Sequence, residues 1–316
     1  MEEMCLTQSR ATILGILALL FWSSTVAFSR SLAETLGTLT ASSCIFLLGG
    51  ALACVARIVS TQGFRRLSLP PRAYLVGCGF LFVVYMLSLY IAIGFASDRQ
   101  QVLEVALINY LWPTLTLVFA IPILRKKARV WLVFGVFLGF VGVFLATFSG
   151  ESFSWRTFGE NVAVNYLPYV FAFVAAVSWA LYSNLSRLWG GQTESGGVPL
   201  FLLLSGLVFV SLRAFSPENT RWTFRSMLEL VYMMVFPTAL GYVFWDEAMR
   251  KGRIILVASL SYLTPLLSAI IATVYLGVRA GWSLWIGCML VVAGAAVCKL
   301  SVKEDLEGME PSTEKY

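Results

Sequence analysis

The stretch VALINYLWPTLTLVFA, residues 105–120, recurs in altered form as VASLSYLTPLLSAIIA, residues 257–272. At a constant offset of 152 positions, the two stretches share seven identical residues out of 16. The most informative identities are one pair of tyrosines and one pair of prolines: Tyr110 and Tyr262, Pro113 and Pro265. Apolar composition alone does not account for a matched tyrosine and a matched proline. The pattern indicates a duplicated unit in which each copy contains an interrupted helix.

The composition is that of an integral membrane protein. Of the 316 residues, 59% are hydrophobic and 13% are charged, and the mean hydropathy is +0.80, whereas about a quarter of the residues of a soluble domain are charged. A spanning helix needs about 20 apolar residues. The apolar runs are 11–33, 38–60, 73–97, 101–124, 130–148, 162–187, 197–215, 226–249, 254–277 and 281–300. The sequence therefore predicts an all-α integral membrane protein with ten transmembrane helices, and irregular polar segments before residue 11 and from residue 302 onward.

The duplication divides these spans into two repeats of five, residues 1–150 and residues 151–316, the second ending in a short polar tail. Because five is an odd number, the second repeat must cross the membrane in the opposite orientation to the first. Inverted repeats are typical of secondary transporters, which bind their substrate near the bilayer midplane between discontinuous helices. The spans alone thus predict a transporter.

The basic residues predict the orientation of the spans. With the N-terminus inside, 16 Lys and Arg residues fall on the cytoplasmic side and seven on the opposite side. Loops rich in Lys and Arg stay in the cytoplasm, so both termini are predicted to be cytoplasmic. Contact with anionic membrane lipid accounts for the net charge of +6 without a nucleic-acid partner.

The two copies of the repeated stretch are predicted to meet at the midplane. Asn109 and Tyr110 lie eight or nine residues into span four, or roughly 13 Å at 1.5 Å per residue. Ser261 and Tyr262 reach a similar depth in span nine from the other face, and half of the hydrocarbon core is about 15 Å thick. Both pairs are therefore candidate substrate-binding residues.

Pro113 and Pro265 are candidate hinges. Each lacks the amide that would bond the carbonyl four residues earlier, which belongs to Asn109 and Ser261 respectively. Inside a membrane, each freed carbonyl then needs water, a side chain or a substrate as its partner. The alternative is a kink that serves packing alone.

At this point the sequence resembles a known family. Ten short spans in a five-plus-five repeat, with NYLWP in span four and SYLTP in span nine, resemble the EamA type of the drug/metabolite transporter superfamily. The resemblance covers essentially the whole chain, and the aromatic-rich spans are most similar to bacterial exporters of aromatic amino acids. It implies export of Phe, Tyr and Trp, and of related amino acids or aromatic cations, across the bacterial inner membrane. It places a central cavity at aromatic side chains of both repeats: Trp22, Tyr85, Tyr90, Tyr110, Trp112, Trp179, Tyr242 and Tyr262.

The chemistry of these residues suits an aromatic substrate. Aromatic rings stack on one another and attract an ammonium group, while Asn109 and Ser261 are positioned to hydrogen-bond a zwitterionic head group. Trp112 corresponds to Thr264 in the second copy, so the predicted cavity is more aromatic on the side of the first repeat. The alternative is export of other small metabolites or of cationic drugs.

Catalysis and cofactor binding are not expected. The sequence contains no His, and its six cysteines show no CxxC spacing, so it offers neither a metal site nor a nucleophile with its base. We therefore predict a protein that is not an enzyme, with no metal and no cofactor, whose partners are a small-molecule substrate and membrane lipid.

Energy coupling is left open by the sequence. Proton-driven transporters usually carry acidic residues within their spans, whereas Glu34, Glu104, Asp246 and Glu247 all lie near span ends. Glu104 is the best candidate for a proton site, and the alternative is an interfacial carboxylate paired with Arg99. We expect an uncoupled or weakly coupled exporter, with proton drive as the alternative.

Glycines in spans five and ten predict close helix contacts: Gly135, Gly139, Gly142, Gly287 and Gly294. Such small-residue seams either hold the helices of each repeat together or mediate self-association. The oligomeric state stays open, and the pattern is compatible with a monomer.

Overall fold

A computed structural model describes residues 2–60, 70–97, 101, 104–105, 108–147, 155–190, 196–276 and 282–302. Within these residues the chain is helical, apart from an isolated antiparallel bridge between Ala128 and Val302. The α-helices are α1 Glu2–Ser23, α2 Thr25–Leu36, α3 Thr38–Ser60, α4 Gly79–Phe95, α5 Trp112–Ile123, α6 Trp131–Thr147, α7 Trp155–Val164, α8 Leu167–Gly190, α9 Val198–Phe215, α10 Phe224–Met233, α11 Gly241–Lys251, α12 Ile254–Leu260, α13 Leu263–Leu276 and α14 Trp282–Ser301. Two π-helical segments, Tyr74–Cys78 and Met234–Leu240, lead into α4 and α11.

Many of these helices have the length and composition of membrane spans. Among the described residues, six helical segments are long and apolar enough to cross a bilayer: Leu6–Ser23, Thr38–Val59, Tyr74–Ile93, Leu167–Gly190, Val198–Phe215 and Phe224–Lys251. Three further apolar helices are shorter: Trp112–Ile123, Trp131–Leu145 and Trp285–Ser301. Each of the ten predicted apolar runs contains helix, so the all-α membrane class follows from the structure as it did from the sequence.

The N-terminal part differs from the prediction in two ways. First, α1 begins at Glu2, so the expected irregular segment before residue 11 is wrong: these polar residues include neither Gly nor Pro and extend the helix. Second, the run 11–33 is not one helix, because α1 ends at Ser23 and α2 begins at Thr25. The Ser24 hydroxyl donates to the Phe21 carbonyl (2.8 Å), and such side-chain bonds compete with helical backbone bonds. The predicted tail beyond residue 302 lies outside the described residues.

Both copies of the repeated stretch are interrupted at equivalent places, as predicted. In the first copy a turn at residues 110–111 precedes α5, and in the second a turn at residues 261–262 separates α12 from α13. In the second turn, however, the Thr264 amide donates to the Ser261 carbonyl (3.1 Å). The expectation that this carbonyl needs water, a side chain or a substrate was therefore wrong, because the tighter turn supplies a backbone partner itself.

Helices from the two halves of the chain pack against one another. Helix α3 packs on α9, and α6 packs on α14. Helices α4 and α5 both pack on α8, while α11 and α13 both pack on α1. These contacts bring the two interrupted stretches close to the core of the molecule.

The glycine seam lies between α6 and α14. A Cβ atom on Gly294 would lie 2.5 Å from the Gly139 amide nitrogen, and one on Gly142 would lie 2.7 Å from the Gly287 carbonyl oxygen. No side chain fits at these positions, because the two helices approach each other backbone to backbone. The seam therefore joins the two halves of the chain, which neither alternative drawn from the sequence included.

Candidate functional site

Trp179, in the middle of α8, is the centre of a buried group of aromatic rings. Its side chain is 1% exposed, and the centroids of seven other rings lie between 4.6 and 6.4 Å from its own. These separations are typical of attractive aromatic pairs. We call the eight side chains the aromatic cluster: Trp22, Phe82, Tyr85, Trp112, Trp179, Tyr182, Tyr242 and Trp245. They come from α1, α4, α5, α8 and α11, so the cluster includes helices of both halves.

Five of the eight aromatic residues predicted from the sequence belong to this cluster: Trp22, Tyr85, Trp112, Trp179 and Tyr242. Trp22 is fixed at the end of α1, where its indole nitrogen donates to the Pro237 carbonyl (2.9 Å). That carbonyl belongs to the π-helical segment before α11. The ring of Trp22 lies 5.1 Å from that of Tyr242, so α1 and α11 contribute adjoining rings.

The other three predicted aromatic residues lie elsewhere. Tyr90 packs 4.7 Å from the Phe209 ring, in a neighbouring group that reaches the cluster through Phe46 and Tyr242. Tyr110 is half-buried at the first turn. Tyr262 is buried, and its hydroxyl lies 2.5 Å from the Thr114 hydroxyl, which links the second interrupted stretch to the first.

The polar candidates occupy the two turns. Asn109 is buried, and within the described part of the chain its Oδ1 has no hydrogen-bond partner. The same is true of the Thr264 hydroxyl, whereas the Ser261 hydroxyl donates to the Ala258 carbonyl (2.6 Å). An unpaired buried polar atom is costly in an apolar environment, so Asn109 and Thr264 are the groups in these turns with the most to gain from a polar ligand.

The two predicted hinges have comparable places in the backbone. Pro113 is buried and is the second residue of α5. Pro265 is the third residue of α13. Each proline therefore lies in the first turn of the helix that follows an interruption, where its missing amide costs little.

Three rings of the aromatic cluster were missed by the sequence reasoning. They are Phe82, Tyr182 and Trp245, and each lies three residues from a predicted residue: Tyr85, Trp179 and Tyr242 respectively. Residues three apart share a helix face. Helical spacing around the predicted residues is thus the signal that identifies them.

A buried charged group beside the cluster was also missed. Asp246 is 1% exposed; its Oδ2 accepts from Arg250 Nε (2.8 Å), and its Oδ1 accepts from the Tyr74 hydroxyl (2.7 Å) and the Tyr182 hydroxyl (2.9 Å). Tyr182 is part of the aromatic cluster, so the charged group and the cluster adjoin. The spacing of Asp246 and Arg250, four apart on one helix, is its signal in the sequence.

A cavity of about 510 Å³ lies on the other side of α11 from the cluster. Helix α11 presents Val243, Asp246, Glu247 and Arg250 to this cavity, while Tyr242 and Trp245 of the same helix belong to the cluster. The ten predicted binding residues are not among those that line it. We call it the α11 cavity.

Glu104 lies in a second buried polar group. The Tyr169 hydroxyl donates to its Oε2 (2.5 Å), and Asn161 Nδ2 lies 3.4 Å from both carboxylate oxygens. Arg99, the partner expected from the sequence, is outside the described residues. Within the described part of the chain, no group of three or more His, Cys, Asp or Glu side chains is placed to hold a metal ion.

Comparison with known proteins gives one family match. A model of the EamA-like transporter family matches residues 9–148 and residues 167–299. This match confirms the resemblance to EamA-type transporters seen in the sequence.

Several relatives share the whole length of the chain. The aromatic amino acid exporter YddG of Escherichia coli (strain K12) is 29% identical over 298 residues, which cover 94% of this chain and 99% of that protein. The proteins of the same name from Salmonella typhimurium (strain 14028s) and Ancylobacter novellus are 27% and 28% identical, with similar coverage. A solved crystal structure that is 28% identical in sequence superposes with a TM-score of 0.78, over 93% of this chain and 98% of that one.

Proposed function

Because the chain belongs to the EamA-like transporter family, we propose that it exports the aromatic amino acids Phe, Tyr and Trp across the bacterial inner membrane. The chain is a multi-pass membrane transporter. The observation that carries the choice of cargo is Trp179 with seven aromatic rings around it. The names of the three YddG relatives support the same cargo.

The cargo binds where the rings of the cluster now contact one another. Each aromatic pair contributes about 0.5–1.5 kcal/mol beyond its area burial, so a cargo ring replaces ring–ring contacts of the protein with equivalent ones. Exchange of like for like keeps binding weak enough for release. The residues of this proposed site are Trp22, Tyr85, Tyr90, Asn109, Tyr110, Trp112, Trp179, Tyr242, Ser261 and Tyr262.

The head group of the cargo lies at the two turns. Asn109 Oδ1, which has no partner in the described part of the chain, accepts a hydrogen bond from the cargo ammonium. The Ser261 hydroxyl already donates to Ala258 but retains lone pairs for a second bond to the ammonium. One turn from each half thus holds one end of the cargo.

The architecture we propose is ten transmembrane helices in two inverted repeats, residues 1–150 and residues 151–316. Helix packing supports it: exchanging the halves maps the α3–α9 and α6–α14 contacts onto themselves, and it maps α4–α8 onto α11–α1. The two stretches that match the family fall one in each half. The excess of basic residues on one side supports cytoplasmic termini.

Transport follows from rocking of the two halves about the cluster. The turns at residues 110–111 and 261–262 are the places where the chain bends, and Pro113 and Pro265 keep the helix from reforming across them. Opening toward either face separates rings of different helices and admits the cargo.

The export is uncoupled or weakly coupled. Glu104, the best proton candidate from the sequence, is engaged by Tyr169 and Asn161, and Asp246 accepts three hydrogen bonds. Both carboxylates therefore have structural roles, and the cargo runs down its own gradient.

Efflux of labelled Phe from proteoliposomes tests this function. We expect efflux that unlabelled Tyr and Trp inhibit and that an imposed pH gradient leaves unchanged. Accumulation of Phe against its gradient when protons flow would establish proton coupling. If Phe is not transported, while an aliphatic amino acid or an aromatic cation is, the alternative cargo class is correct.

A further inference from the structure

We infer that the α11 cavity is a second binding site, which receives the zwitterionic head of the amino acid on the cytoplasmic side before the cargo reaches the aromatic cluster. This inference rests on the proposed function. It assigns ligand-binding roles to Arg57 and Glu247, which lie outside the proposed central site.

The size and lining of the cavity are those of a small-molecule site. Its volume is about 510 Å³, and ligand pockets commonly measure about 300–1,000 Å³ with apolar walls and a few convergent polar groups. Its apolar wall includes Leu52, Val235, Leu240 and Val243. An aromatic side chain fits against such a wall.

The polar part of the cavity carries both signs of charge. Arg57 and Arg250 line it together with Asp246 and Glu247, so two positive groups face two negative ones. A zwitterion matches this balance, whereas an anion or a cation alone leaves one sign uncompensated. Charge balance therefore favours an amino acid over an anionic lipid head group.

Two of these four groups are committed to each other. Asp246 and Arg250 form a buried ion pair, and Asp246 also accepts from Tyr74 and Tyr182. This pair holds the wall of the cavity together.

The ligand-binding roles fall to the other two groups. Glu247 is half-buried on the cavity face of α11. Arg57 Nη1 donates to the Gly196 carbonyl (2.7 Å), and a guanidinium carries five N–H donors in all. In the proposed site Arg57 binds the cargo carboxylate and Glu247 binds its ammonium.

Helix α11 connects this site with the aromatic cluster. Val243, Asp246, Glu247 and Arg250 follow the spacing of one helical face, while Tyr242 and Trp245 lie on the face toward the cluster. The segment immediately before α11 is π-helical and contains Pro237, and π-helical turns often occur at functional sites. A rotation of α11 at this segment would carry cargo from the cavity side toward the cluster side.

The test compares Phe efflux by the full-length protein and by Glu247→Gln, Glu247→Asp and Arg57→Gln variants in proteoliposomes. Glu160→Gln is the matched control, because it removes an exposed carboxylate that pairs with Arg156 and lies outside the α11 cavity. We expect the KM for Phe to rise about tenfold in Glu247→Gln, as for loss of one charged hydrogen bond, with the maximal rate unchanged. Glu247→Asp should restore part of the affinity, and Glu160→Gln should match the wild type.

A second readout uses 3-phenylpropionate, which is phenylalanine without its ammonium group, as a competitor of Phe efflux. If Glu247 binds the ammonium, the wild type prefers Phe over this analogue and Glu247→Gln loses that preference. A merely structural role for Glu247 would lower the rate for all substrates and leave the preference intact, which would overturn the inference.

The outcomes separate the two proposals. Wild-type Phe efflux with unchanged KM in Glu247→Gln and Arg57→Gln overturns the cavity site and leaves the proposed function standing. Absence of Phe transport by the wild type overturns both. A phospholipid that copurifies with the wild type but not with Arg57→Gln, together with unchanged Phe kinetics, would make the cavity a lipid site instead.

Discussion

The two interrupted stretches share a backbone device but differ in what surrounds it. After the first turn, Trp112 is buried against Trp179 and Trp245, at ring distances of 6.4 and 5.3 Å. After the second turn, the corresponding residue is Thr264, whose hydroxyl has no partner in the described part of the chain. The difference teaches that the turn itself is common to both halves, while contact with aromatic cargo is concentrated in the first.

The largest effect is expected at the ring that all others surround. Trp179→Ala should reduce Phe efflux by at least about 100-fold, because it removes every contact of the central ring, and by loss of packing it should lower the free energy of unfolding by about 3–5 kcal/mol. Efflux is measured per amount of monodisperse protein, which separates the two effects. Trp282→Ala, at a tryptophan that is 84% exposed, is the control and should behave as the wild type.

Replacing the distinguishing residue of the first copy by that of the second breaks the comparison directly. Trp112→Thr should raise the KM for Phe by about tenfold, which corresponds to roughly 1.4 kcal/mol, because two aromatic contacts are lost. The equivalent change in the second copy, Thr264→Val, removes only a hydroxyl and should change the KM little. Equal effects of the two variants would show that both halves contact the cargo ring alike.

The prolines sharpen the shared part of the comparison. Pro113→Ala and Pro265→Ala restore an amide at each interruption, and we expect each to slow the maximal rate of efflux by about threefold with unchanged KM, since helix reformation at the turn would cost about what a proline excludes. Pro122→Ala, within α5, is the control and should leave the rate unchanged. A change in KM instead of rate would make the prolines part of the binding site.

The smallest effect is expected at Tyr262. Tyr262→Phe removes the hydroxyl that lies 2.5 Å from Thr114, and one such hydrogen bond contributes about 1 kcal/mol to stability. Thermal unfolding of the purified variant measures this loss, and the KM for Phe should stay at the wild-type value. A raised KM would place Tyr262 in contact with the cargo.

Much of the fold is predictable because its determinants are local. Runs of about 20 apolar residues predict the helices, and the prolines at 113 and 265 predict the interruptions, which the structure confirms. The break at Ser24 was not predictable in this way, since serine does not by itself end a helix and its hydroxyl pairs with Phe21 and Tyr232. Contacts across the fold decide such places.

The site is only partly predictable for the same reason. Duplication identified Trp112 and Trp179, but the phase of each helix relative to its neighbours determines which further rings point to Trp179. Asp246 was expected near a span end, and its burial depends on Tyr74, Tyr182 and Arg250, which meet only in the folded chain. The α11 cavity likewise forms between helices that are distant in sequence.

Competition of unlabelled Phe and unlabelled Leu against efflux of labelled Phe, in wild-type and Trp112→Thr proteoliposomes, tests the central claim most directly. The claim is that the aromatic cluster recognises the ring of the cargo. The account predicts that the wild type prefers Phe over Leu and that Trp112→Thr loses this preference while still transporting. An unchanged preference for Phe in Trp112→Thr, or a wild type that does not distinguish Phe from Leu, would contradict it.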